Sequence, residues 1–147
     1  MTTIKVQGNC PLKRLFRRVA LSRIAKALVR ASKESTAAGD DILYRLPGVF
    51  SLRIAYKDAF VRLIKEGNEF RLMETSEKSE ELLSVTLTDA AALADVAFHA
   101  ATWQKIYAEG RMTFAGKIKY ASLLMRIAAL GDKACLSAKK NQDLYGE

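Results

Sequence analysis

Between residues 12 and 35, Leu12, Leu15, Phe16, Val19, Ile24, Ala27, Leu28 and Ala31 recur at helical spacing. Basic residues fill much of the remaining surface, and Pro11 suits a first helical turn. The pattern predicts a basic amphipathic helix that ends within Ala37-Ala38-Gly39-Asp40-Asp41. After the Pro47-Gly48 turn the period drops to two. Strands are predicted over residues 49–56, 59–65, 69–74 and 82–88, the first three joined by tight turns at Lys57-Asp58 and Glu66-Gly67-Asn68. Such linked hairpins predict a largely antiparallel sheet. Residues 75–81 are polar and read as a loop. Thr88 or Asp89 can cap a helix over 90–99, and a second short helix is predicted over 102–108. Met112 and Phe114 alternate in a fifth strand, 111–115, and a final helix runs from 117 to 130 with Gly131 as its cap. A polar tail follows. The expected class is α+β, with a five-stranded, mostly antiparallel sheet covered by helices.

The last helix carries the most information. At 100° per residue, Lys119, Ser122 and Arg126 form one narrow polar strip, and nearly everything else from Ile118 to Leu130 is apolar. A surface helix needs an apolar arc of little over 100°. This helix must therefore meet something besides the sheet. Either the N-terminal helix buries its second side, or one flank lines a cavity for an apolar ligand. The small Ala121, Ala128 and Ala129 leave room near Ile118 and the adaptable Met125.

Charge sharpens the picture. The 147 residues carry a formal charge of +8. Residues 1–38 hold nine basic side chains against Glu34 alone, so the excess belongs to that segment and the remainder is balanced. A basic segment on a neutral body predicts contact with an anionic partner: a membrane surface, an acidic protein or nucleic acid. Nucleic acid is disfavoured, because Phe16 is the only aromatic residue among those cations. No run of 18 apolar residues marks a membrane span, and arginines interrupt any secretory signal. A cytoplasmic protein, peripheral at a membrane, is expected. Mitochondrial import is the minor alternative, since residues 1–33 are rich in Arg and lack acids.

Candidate catalytic chemistry is sparse. His99 is the only histidine, and Cys10 and Cys135 are too few for a disulfide framework and lack metal-ligand spacing. Asp40-Asp41 and Glu80-Glu81 are adjacent acids in turn-like segments and read as solvated charges. His99 reads as a capping or packing residue. No enzyme, metal or cofactor is expected.

The stretch Tyr107-Ala108-Glu109-Gly110-Arg111-Met112-Thr113-Phe114-Ala115-Gly116-Lys117-Ile118 resembles the late motif of the sterol carrier protein 2 family. There a short helix leads into Gly-basic-apolar-x-apolar-x-Gly and then an apolar helix. Gly110, Arg111, Met112, Phe114 and Gly116 occupy the matching positions. Leu83 to Asp89 is similar to the family's strand before a capped helix. The order of elements fits across residues 49–131, whereas residues 1–48 are not covered. Lys117 departs from the family's usual Asp or Asn, and a cation there opposes the helix dipole.

The resemblance implies an apolar tunnel between sheet and helices and reversible, non-enzymatic binding of sterols, fatty acyl chains, phospholipids or isoprenoid lipids. Three regions are expected: a basic helical arm (1–38), a lipid-binding domain (39–135) and a polar tail (136–147). The expected lining is Met112, Phe114, Ile118, Ala121 and Met125, with Phe98, Trp103 and Tyr107 near it. Lys13, Arg14, Arg17 and Arg18 are the expected membrane-docking cations. The alternative is a protein-interaction or scaffold module whose core is filled by its own side chains.

Overall fold

The computed structural model describes residues 11–37, 42–74 and 76–130. Cys10, Cys135, most of the connection at 38–41, the Gly131 cap and the polar tail lie outside the described residues.

The strands form where side chains alternate. β1 (Val49–Tyr56), β2 (Ala59–Glu66), β3 (Glu69–Leu72), β4 (Leu83–Leu87) and β5 (Met112–Gly116) make one sheet in the order β3-β2-β1-β4-β5. Three pairings are antiparallel, and β1 runs parallel to β4. Phe50, Leu52, Ile54 and Tyr56 of β1 share a face with Leu63 of β2 and with Leu83, Val85 and Leu87 of β4, all buried. This is the face that the helices cover.

α1 (Pro11–Ala37) is built into that core. Ala20, Leu21, Ile24, Ala25, Leu28 and Ala31 are buried in the same cluster as the strands. α1 also lies along the free edge of β3. There Ser32 Oγ accepts from Phe70 N at 3.2 Å, and Thr36 Oγ1 donates to Asn68 O at 3.2 Å. The edge strand thereby loses backbone groups on which another strand would pair. A short 3-10 turn, Ile42–Arg45, leads toward β1.

α2 (Ala90–Ala97) starts at Asp89, whose carboxylate accepts from Ala92 N at 2.7 Å. α3 (Trp103–Ala108) starts at Thr102, whose hydroxyl accepts from Lys105 N at 3.1 Å. Lys117 supplies no side-chain cap, and the chain enters its last helix through a 3-10 turn, Ile118–Tyr120. Residues 121–130 are α-helical. Their buried side chains include Leu124, Ile127 and Ala128, whereas Lys119, Ser122 and Arg126 face solvent as the wheel predicts.

Candidate functional site

The glycine-bracketed motif acts as a joint. Gly110 (φ 75°) turns the chain from α3 into β5, and Gly116 (φ 92°) turns it out again. A Cβ on Gly116 would stand 2.6 Å from the backbone oxygen of Leu82, which already accepts from Lys117 N at 2.7 Å. Only glycine fits this close approach at positive φ. Between the glycines, Arg111 bonds Glu109 at 3.1 Å and Asp95 at 3.1 Å and lies 3.5 Å from Asp89. The motif's basic residue is thus a clamp on the ends of α2 and α3. The Asp89 carboxyl is held below its ordinary range, first by the Ala92 amide and then by Arg111 and Thr88.

The structure brings several expected lining residues to the helix-covered side of the sheet. Met112 and Trp103 are buried in the core, and Phe114 and Met125 pack half-buried against it. Ala121 is also buried. The Tyr107 ring lies 5.4 Å from Phe114, while its own side chain stays exposed. Tyr120 and Leu123, which the sequence reading did not single out, join this half-buried layer. Two residues stand apart. Ile118 is 63% exposed. Phe98 lies at the end of α2 beneath the Arg23 guanidinium, 4.6 Å from the ring centroid.

The space beside Trp103 is small. The void bounded by Ile24, Ala27, Leu28, Val96, His99, Trp103 and Ala128 measures about 10 Å³. That is barely room for one water, and none for an alkyl chain. Ala128 lines this void together with Ile24, Ala27 and Leu28 of α1, and Leu124, Ile127 and Ala128 belong to the same buried cluster as α1.

The cations expected to dock at a membrane are split. Lys13, Arg14 and Arg18 are exposed, and between them Leu15, Phe16 and Val19 form an apolar surface stripe. Arg17 is instead turned onto the sheet, bonded to Asp58 at 3.0 Å with its guanidinium 5.7 Å from the Tyr56 centroid.

A pocket of about 610 Å³ opens on another side of α1, lined by Arg23, Lys26, Val29, Arg30, Arg71, Leu72, Ala97 and His99. The sequence carried one signal for it: Arg23, Lys26 and Arg30 stand at i, i+3 and i+7, one helical face. Arg71, Leu72 and His99 reach it only through the fold. Arg71 is already claimed by Glu66 at 3.0 Å and Glu77 at 2.8 Å, and its hydrogen bond, with the Glu74 amide, holds the Glu77 carboxyl at about 2, well below its usual range.

No protein-family model matches this chain, and no curated protein sequence does. Solved structures do match. One described as a "UbiJ-SCP2 Ubiquinone synthesis protein" is 18% identical over 82% of this chain and 99% of its own, with a TM-score of 0.52. Sterol Carrier Protein 2 Like 2 from Aedes aegypti is 15% identical over 77% of this chain and 96% of its own, at a TM-score of 0.43. Sterol Carrier Protein 2 from Yarrowia lipolytica is 14% identical over 89% and 98%, at 0.39. The first of these likenesses shows the fold: the chain is built as a sterol carrier protein 2-like domain.

Proposed function

We propose that this protein binds and carries an apolar lipid without catalysing a reaction. The observation that carries this reading is the half-sealed apolar layer over the sheet. Phe114, Tyr120, Leu123 and Met125 pack against the core yet remain partly open, with Tyr107 and Ile118 exposed in the same stretch of chain. The sterol carrier protein 2-like fold supports the reading. The neighbour described as a ubiquinone synthesis protein puts isoprenoid quinones among the first lipids to test, beside sterols and fatty acyl chains. A chain would enter by parting residues 121–130 from α1, where the small Ala27 and Ala128 line one void. Each buried methylene contributes about 0.8 kcal/mol, so a long chain offsets the separation of a few side chains.

Exposed Leu15, Phe16 and Val19, flanked by Lys13, Arg14 and Arg18, would rest on an anionic bilayer during exchange. Arg17 contributes to folding rather than to this surface. A protein-interaction module with a self-filled core is the second reading, favoured by the small void at Trp103.

Native mass spectrometry of the full chain, purified without detergent, tests the two. A co-purifying lipid that leaves on denaturation supports the carrier; a bare mass, with no lipid taken up from added quinone, sterol or fatty acid, refutes it. For docking, the triple variant K13E/R14E/R18E is expected to lose pelleting with phosphatidylglycerol vesicles. Unchanged pelleting removes α1 from the membrane account.

A further inference from the structure

The pocket beside α1 differs from the apolar layer in chemistry. Its lining combines apolar Val29, Leu72 and Ala97 with four cationic side chains, Arg23, Lys26, Arg30 and Arg71. Among the described residues, no carboxylate lines it. Two of its cations are committed: Arg23 donates to Ala97 O at 3.3 Å and covers Phe98, and Arg71 is clamped by Glu66 and Glu77. Lys26 and Arg30 are not. They are exposed, one turn apart, and have no ion-pair partner among the described residues. A volume of about 610 Å³ suits one small ligand or one head group.

His99 connects this pocket to the interior. It lines both the cationic pocket and the small void at Trp103. Its backbone sits at φ 59°, where α2 ends and the chain turns toward α3. A ligand with an anionic head at Lys26 and Arg30 would have its chain aimed at His99 and at the apolar contact behind it.

We propose that this pocket binds the phosphate head of a single long-chain amphiphile, whose chain passes His99 into the space between α1 and residues 121–130. The inference rests on the carrier reading and narrows it to a lipid class. A phosphate monoester carries about −1.5 to −2 charges and three acceptor oxygens, and it pairs with a guanidinium through two parallel bonds. Arg30 supplies the fork and Lys26 a second charge. A neutral sterol or alcohol leaves both unused. The concave shape favours one head group drawn out of a bilayer over the bilayer surface itself, which the convex stripe at residues 13–19 fits better.

Trp103 is the chain's only tryptophan and borders the void, so its emission reports chain insertion. The experiment titrates the full protein with dodecyl phosphate and with dodecanol. Dodecyl phosphate is expected to bind at least tenfold more tightly. In K26A/R30A that ratio falls to near one while dodecanol affinity is unchanged; in K78A/K105A, which removes the same charge elsewhere, the ratio persists. Excess inorganic phosphate is expected to compete only weakly.

Equal affinity for the two lipids in the wild type overturns the head-group site and leaves the carrier reading standing. So does a ratio that survives K26A/R30A, or one that K78A/K105A also abolishes. Full displacement by millimolar inorganic phosphate makes the ligand a free anion and overturns the amphiphile. Binding of neither lipid ends both proposals.

Discussion

Replacing Gly116 by Ala tests whether the joint between β5 and the last helix is as tight as its geometry states. The residue sits at φ 92°, where an L side chain costs about 1–2 kcal/mol. The new methyl carbon would meet the Leu82 carbonyl oxygen at 2.6 Å. That oxygen cannot simply retreat, because it accepts from Lys117 N and precedes Leu83, which is buried in β4. Loosening the Lys117 bond adds about 1 kcal/mol, for a total of about 2–3 kcal/mol. In a domain of this size that lowers Tm by about 6–9 °C. Gly110 supplies the control. Its φ is 75°, but nothing lies within 4 Å of an added Cβ. Gly110→Ala therefore carries only the conformational cost of about 1–2 kcal/mol, a loss of about 3–6 °C. Thermal unfolding followed by circular dichroism ranks the three proteins. If G116A melts with or above G110A, the close approach at Leu82 is not the constraint described.

Three further outcomes are expected. Lys65 is 2% exposed on the core side of β2 and donates to Pro47 O at 2.9 Å, and burial lowers its pKa below the ordinary 10.5. The unfolded chain then holds that proton to higher pH, so stability climbs as pH rises toward 10.5. Lys65→Met should be at least as stable as wild type in urea at pH 7 and lose that climb; a destabilised variant would count against it. Ser32→Ala strands the Phe70 N–H and should cost about 1–3 kcal/mol, with faster hydrogen exchange at Phe70; unaltered exchange contradicts the edge seal. The Glu77 carboxyl, held down chiefly by its hydrogen bond to Arg71, should titrate by NMR near about 2. Its contribution to folding is complete above 4.5 and is lost as pH falls through about 2, and a midpoint near 4.5 would refute the clamp.

The strands were legible because alternation is local. β1 has the predicted bounds, β2 runs one residue further, and β5 is shifted by one residue at both ends. β3 stops at Leu72, short of the expected 74, because the Arg71–Glu77 clamp and the Glu77 N to Glu74 O bond turn the chain away. The parallel pairing of β1 with β4 left no local trace, since it depends on where residues 73–82 travel. In α1 the wheel mixed two surfaces. Leu15, Phe16 and Val19 face solvent, whereas Ala20, Leu21 and Ala25 join the core; apolar spacing alone does not say which turns meet a sheet. Arg17, expected beside Arg14 and Arg18 at a membrane, was drawn inward by Asp58 and Tyr56, forty residues away in sequence. The pattern left open what covers the second side of residues 121–130, and only the fold puts Ala128 around one small void with Ile24, Ala27 and Leu28.

The burial of α1 fixes a distance. Its later turns are wedged among strands and α2, so the helix has no hinge between residue 19 and Ala20. From the middle of residues 13–19 to Lys26 and Arg30 is about 12 residues, or about 18 Å along the axis. Whatever grips the first turns is held at a set standoff from the cationic pocket, as by a strut. Under the proposed carrier reading, the protein would approach its donor in one orientation instead of searching on a tether.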